Sequence, residues 1–442
     1  MTARRWVLVV AAAFVALVVW VLVPPSERPF YDYVAERRAA GLATTRDEVR
    51  GPMPPPDRNG AVALEEAWDA AERDYGPNAS WDANWLWLVV SNGELPDSCS
   101  AEDLAALSAS AVRLRPCFDA FLAAADRPRL VHPVTFDADG FRDGARGMAL
   151  RNAAWRLAIA AVGEPDPARR LAACRALLLL ASRIETLTWP DWISCIRIRG
   201  CGVAALRLGI ESGVVDPVTA RAACDPLLAV SAYDAFRRAG HGAAVEMIES
   251  YRAMIEGRAT STMMKCSFGE RFHHRVEAIR MRASGDFDPP DVDFEPGVAR
   301  HVVAVCRAWD VLAEAPDLLA LATADAIPVV DPSGTLRESS AADGVVRTAQ
   351  LALDTESVAR VARVALAAAE HRATHGDFPA SLDELRPMFP DGVPLDAFTN
   401  APLVYERTAT GVRIASAGHV AGGSPFFGQE PRERILVWDL KR

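Results

Sequence analysis

His371 and His375 have the spacing in this chain that most suggests chemistry. Two imidazoles four residues apart share one face of a helix, the arrangement that a bound zinc or similar metal requires. Glu370 and Asp377 stand beside them in sequence, and no third ligand is evident. The pair also has a structural reading. His375 falls in the last turn of a helix expected over "TESVARVARVALAAAEHRATHG". There an imidazolium suits the helix dipole, and Gly376 supplies a left-handed cap.

A second candidate is the indole cluster Trp81, Trp85 and Trp87 in "WDANWLWLVV". Exposed indoles could stack on a sugar or another flat ligand, whereas Trp81 and Trp85 at helical spacing equally suit a core. The loop "GDFDPPDVDFEPG" offers Asp286, Asp288, Asp291, Asp293 and Glu295, hard ligands for calcium, without the spacing of an EF-hand loop. His273 and His274 are adjacent, so on a helix they diverge by about 100° and suit one metal poorly. The chain holds no G-x-S-x-G, H-E-x-x-H, phosphate-binding Walker loop or dinucleotide fingerprint. No catalytic residue is assigned, no cofactor is expected, and the reading leans away from an enzyme.

The elements around these residues begin with a membrane signal. "MTARR" is followed by Trp6 to Val23, eighteen apolar residues without a charge. A helix of that length covers about 27 Å, just enough to cross a bilayer. Trp6 and Trp20 mark its interfaces, and Arg4 and Arg5 hold its start in the cytoplasm. "VLVPPS" at its end has no A-x-A-like cleavage site, which favours an uncleaved anchor over a signal peptide. The expected localisation is therefore the inner membrane, single-pass, with residues 1–5 cytoplasmic and the bulk of the chain outside the cytoplasm. The net charge of −10 argues against nucleic acid as a partner. Lys265 and Lys441 are the only lysines, so the abundant Arg reflects composition rather than phosphate chemistry.

Residues 24–60, with "PPSERPF" and "GPMPPPDRNG" at their ends, read as a Pro-rich tether with a short helix over "YDYVAERRAAGL". Residues 61–345 read as a helical domain. In "GMALRNAAWRLAIAAVGEPDPARRLAACRALLLLASRIETL", Gly163 ends one helix and Pro167 enters the next. "ESGVVDP" repeats that turn. Ser100 and Asp103 suggest a capping box, and Pro116 a break. Eight cysteines outside the cytoplasm permit disulfides, although several lie in apolar helical runs where they suit a core. Cys195 and Cys201 fall on different helix faces, which argues against a bridge between them.

Residues 346–442 read as a small α+β module: a helix, a short helix capped by Ser381 and Glu384, then strands over "PLVYER", "VRIASAG" and "RILVWDL". The predicted fold class is thus mainly α: an irregular helical-hairpin array or bundle, a small C-terminal α+β module and one N-terminal transmembrane helix. About residues 355–420 resemble the C-terminal module of the major pseudopilins of type II secretion. The resemblance rests on His371, Gly376, Phe378, Pro379, Leu382, Leu385, Pro394, Asp396, Phe398, Tyr405, Ser416 and Gly418. The N-terminus lacks the pilin processing signal, and a large helical region separates the apolar run from the module. The acidic residues that bind calcium in that family have no close counterpart after Gly418. The helical part resembles membrane-anchored helical proteins of bacteria. The expected function is a membrane-anchored extracytoplasmic interaction or scaffold protein, in contact with the bilayer through residues 6–23 and with protein partners in the cell envelope. The alternatives are a secretion-system accessory protein, and a metal-dependent hydrolase or carbohydrate-binding protein.

Overall fold

A computed structural model describes residues 27–75, 101–131, 154, 157–183, 189–255, 298–314, 340–417 and 437–441. The apolar run 6–23, Trp81, Trp85, Trp87, His273, His274, Ser100, the acidic loop, Cys99 and Cys266 lie outside the described residues. The architecture is mainly helical with a small antiparallel sheet. Among the described residues no helix is long and apolar enough to cross a membrane.

The segment expected as a tether is packed against the body from its first helix. Helix α1 (Arg28–Ala39) places Phe30, Tyr33, Val34 and Arg37 on one face, each at most 5% exposed. Those positions follow the three- and four-residue spacing of a helix stripe. The Pro-rich composition misled here because Pro29 sits in the first helical turn, where its missing N–H costs nothing. A short helix, α2 (Arg46–Arg50), follows under a Thr45–Glu48 capping box.

Helix α3 (Gly60–Tyr75) packs on α5 (Arg115–Ala125), which follows α4 (Ala101–Arg113). The expected break at Pro116 is present: Pro116 lies in the first turn of α5. Asn59 pins the start of α3. It is buried, its amide donates to Val131 O at 2.7 Å, and its carbonyl accepts from the Ala61 and Val131 amides. Gly60 then has to be glycine, since a Cβ would fall 2.4 Å from Ala124 O.

Both D-P turns form as the sequence implies. Residues 157–163 are helical and α6 (Pro167–Arg183) begins at Pro167. Asp166 caps α6 by accepting from the Ala168 and Arg169 amides. Helix α7 (Trp189–Glu211) ends before Gly213 in left-handed conformation, and Asp216 caps α8 (Pro217–Leu228) through the Thr219 amide at 2.8 Å. Helix α9 (Ala232–Ile255) and α10 (Val298–Glu314) form a further close pair.

Helix α11 runs unbroken from Ser340 to His375. The boundary expected between residues 345 and 346 falls inside it, so the helical region and the C-terminal module share one element. Its middle is buried all round: Ala359, Ala362, Ala365, Ala367 and Ala368 are at most 1% exposed, as are Val364 and Leu366. A helix apolar on every side belongs in a core. Helices α7, α8, α9 and α10, the 3-10 turn Leu382–Met388 and the sheet all adjoin it.

The sheet has order β1-β2-β3, with β1 (Val404–Thr408), β2 (Gly411–Ala415) and β3 (Val437–Lys441) antiparallel. Ile414 pairs with Tyr405 on one side and Trp438 on the other. Val412, Ile414, Trp438 and Leu440 are buried and belong to the same apolar core as α11.

Cys117, Cys174, Cys195, Cys201, Cys224 and Cys306 are all buried and unbridged. They act as small apolar core residues. Burial pushes the Cys201 and Cys224 thiols up to about 12, so both are neutral.

Candidate functional site

His371 and His375 do come together. Their rings stack with centroids 4.2 Å apart at the end of α11. Each nonetheless turns a nitrogen toward backbone: His371 Nδ1 lies 3.0 Å from Asp377 O, and His375 Nδ1 lies 3.1 Å from His371 O. The nearest carboxylate oxygen, from Glu384, is 4.0 Å from His371 Nε2. Among the described residues no group of three or more His, Cys, Asp or Glu is arranged to hold a metal ion. Gly376 is left-handed at φ +86° and donates to Arg372 O, as a helix cap does. The capping box expected after it does not form. Glu384 accepts from the Ala380 amide at 2.8 Å, while the Ser381 side chain makes no cap bond and the segment is 3-10.

The densest buried polar cluster lies elsewhere, where α1 meets α9 and α10. Arg37 is 2% exposed. Its Nη1 donates to the Asp310 carboxylate and to Tyr33 Oη at 3.2 Å, and its Nε donates to Ala43 O at 3.0 Å. Tyr33 donates to the second Asp310 oxygen at 2.6 Å. From α9, His241 Nε2 lies 3.0 Å from Glu314, and its Nδ1 lies 3.9 Å from Asp310. Around this centre, Arg307 pairs with Glu36 at 2.9 Å and its guanidinium sits over the Tyr33 ring. Phe30 meets the Tyr251 ring edge-on at 4.8 Å.

The cluster holds its groups in unreactive states. Burial drives the Tyr33 phenol far above the ordinary tyrosine range, and the neighbouring Cys306 and Asp310 add to it. Burial likewise pushes the Cys306 thiol up to about 12, with Asp310 contributing. Burial alone would lower the Arg37 guanidinium, but the Asp310 charge and the Tyr33 bond more than offset it, so it stays cationic. A neutral phenol, a neutral thiol and a paired guanidinium are poor nucleophiles and bases. Their arrangement is suited to holding α1 on the body. Breaking a buried ion pair of this kind by removing one partner typically costs about 3–5 kcal/mol.

No spacing motif announces this cluster. The available signals were the Phe30, Tyr33, Val34, Arg37 stripe and the acid Asp310 between Trp309 and Val311 in the apolar run "VARHVVAVCRAWDVLAE". Nothing in the sequence joins residues so far apart along the chain.

A second polar centre lies in the C-terminal region. Asp396 is fully buried, and its carboxylate accepts from Ser416 Oγ at 2.9 Å and from the Phe398 and Ala417 amides. Tyr405 donates to Pro379 O at 2.6 Å, and Phe378 lies in the core under the Arg372 guanidinium. Arg221 of α8 bridges Glu370 of α11 and Met388 O, and Arg363 pairs with Asp225 at 2.8 Å. Both guanidinium groups stand over the Phe389 ring, at 5.5 and 5.6 Å. Compared with known proteins, the chain matches no family model, no curated protein and no solved structure.

Proposed function

We propose that the protein is a single-pass, membrane-anchored helical scaffold of the bacterial cell envelope. Residues 6–23 cross the inner membrane, Arg4 and Arg5 face the cytoplasm, and the helical body lies outside it. The observation that carries this reading is the uncharged eighteen-residue run between an arginine pair and a proline pair, followed almost at once by a helix locked into the body. A run of that length matches the bilayer core, and the arginines set its direction. The described polar cluster at α1 supports a structural role, since its charges are paired within the chain and its thiol and phenol are held neutral. Extraction of membranes with alkaline carbonate tests the anchor. The full chain stays with the bilayer and comes off only with detergent; release by carbonate alone would contradict the reading.

A second reading rests on the C-terminal region. The residues that carry the pseudopilin resemblance converge on one packed unit: Asp396 binds Ser416 and the Phe398 amide, and Tyr405 closes on Pro379. This convergence supports a pseudopilin-like module that docks the scaffold to a secretion assembly. Affinity purification from detergent extract would recover secretion components; repeated recovery of the protein alone would remove this reading.

A further inference from the structure

The chain between the apolar run and α1 is very short. Pro24, Pro25, Ser26 and Glu27 are the only residues between Val23 and Arg28. Four residues reach at most about 14 Å even when fully extended, and a proline pair favours about 3.1 Å per residue. Each headgroup layer of a bilayer is itself roughly 5–8 Å thick. Helix α1 therefore begins close to the membrane surface. Because Arg37 and Tyr33 fix α1 to Asp310, whatever holds α1 near the bilayer holds the body there too.

The packing also says which end of the body is involved. Phe30 lies against Tyr251, so the start of α1 adjoins the last turns of α9, while Tyr33 bonds Asp310 of α10. Arg28, Tyr31 and Asp32 of α1 face outward there, at 84%, 51% and 69% exposure. Tyrosine is enriched at membrane–water interfaces, where its ring suits the headgroup level. Arg28 and Arg38 balance Asp32 and Glu36 on the outer face of α1, so the face suits a zwitterionic headgroup layer without needing anionic lipid. Ala232, at the start of α9, donates to Glu356 of α11, and Tyr251 lies about 28 Å further along α9 at 1.5 Å per residue.

We propose that the end of the body formed by the start of α1 and the end of α9 is apposed to the headgroup layer of the membrane that holds the anchor, with Tyr31 in the interfacial zone. This rests on the reading of residues 6–23 as a span. The test uses the full chain reconstituted in phosphatidylcholine vesicles. A benzophenone amino acid replaces Arg252 at the end of α9, or the exposed Asp383 on the 3-10 turn, which packs on α11. Vesicle flotation followed by photolysis reads lipid adducts. The expected result is adduct at position 252 and none at 383, unchanged when anionic lipid is added. Asp310→Ala, which frees α1, abolishes the adduct at 252. Floating protein with no adduct at 252, or equal adducts at both positions, overturns the apposition while leaving the anchor intact. Protein that does not float overturns the anchor reading and the apposition with it.

Discussion

Helices α1 and α11 are both held by partners distant in sequence, yet by different means. Helix α1 presents one stripe to α9 and α10, with an arginine at its centre that meets an aspartate. The middle of helix α11 is enclosed by its neighbours, and its own small alanines let them approach closely. The ion pair at α1 gives one defined position and one point of failure. The alanine packing of α11 has no single point of failure, but it leaves no room for added atoms. The first arrangement suits a helix joining the body to the proposed anchor, the second a helix joining two halves of one core.

The sharpest way to break this contrast is Asp310→Ala. It leaves Arg37 buried without its charge partner, at a cost of about 3–5 kcal/mol. The damage is expected to be local. Limited proteolysis would cut between residues 28 and 50 while α11 stays protected. Next in size is Ala362→Leu. Ala362 is fully buried, and overfilling such a site costs about 1–3 kcal/mol. Here the whole body should melt earlier in calorimetry, with no selective release of α1.

The pH dependence separates α1 from the turn before α6 by sign. Cys306 and Tyr33 are held protonated by burial, so their contribution is present below their ordinary values and is lost as pH rises toward the folded ones, about 12 for Cys306. Helix α1 is therefore expected to loosen in alkali. At the turn before α6, Arg115 bonds Glu164 at 2.5 Å and holds its carboxyl below the ordinary carboxylate range. That contribution is present above the ordinary range and is lost as pH falls through the lowered value. Glu164→Gln should flatten the acid limb of a stability–pH curve and leave the alkaline limb unchanged. The smallest effect is expected from His375→Ala, within about 0.5 kcal/mol for an exposed side chain. A melting temperature that rises with added zinc in the wild type but not in this variant would restore the metal reading.

The local devices were legible in the sequence. Asp166 with Pro167, Asp216 with Pro217, and Gly376 all act where their types require, because caps and turns depend on a few neighbouring residues. The three strands were legible for the same reason. Burial of α1 was not, since the prolines around it dominate the composition while the stripe is only four residues deep. The starting point of α11 was missed because its first residues, "SAADG", contain a serine and a glycine, which are weak helix formers. The buried cluster was the least legible feature. Tyr33, His241 and Asp310 are ordinary residues in ordinary helices, and only the packing of three helices makes them a unit.

Hydrogen–deuterium exchange of the backbone amides in residues 28–39, measured on the full chain, tests the central claim most directly. A docked α1 predicts protection comparable to α9 and α10, lost from α1 in Asp310→Ala while α11 keeps its own. Exchange of those amides at the rate of an unstructured tether in the unaltered protein would contradict it.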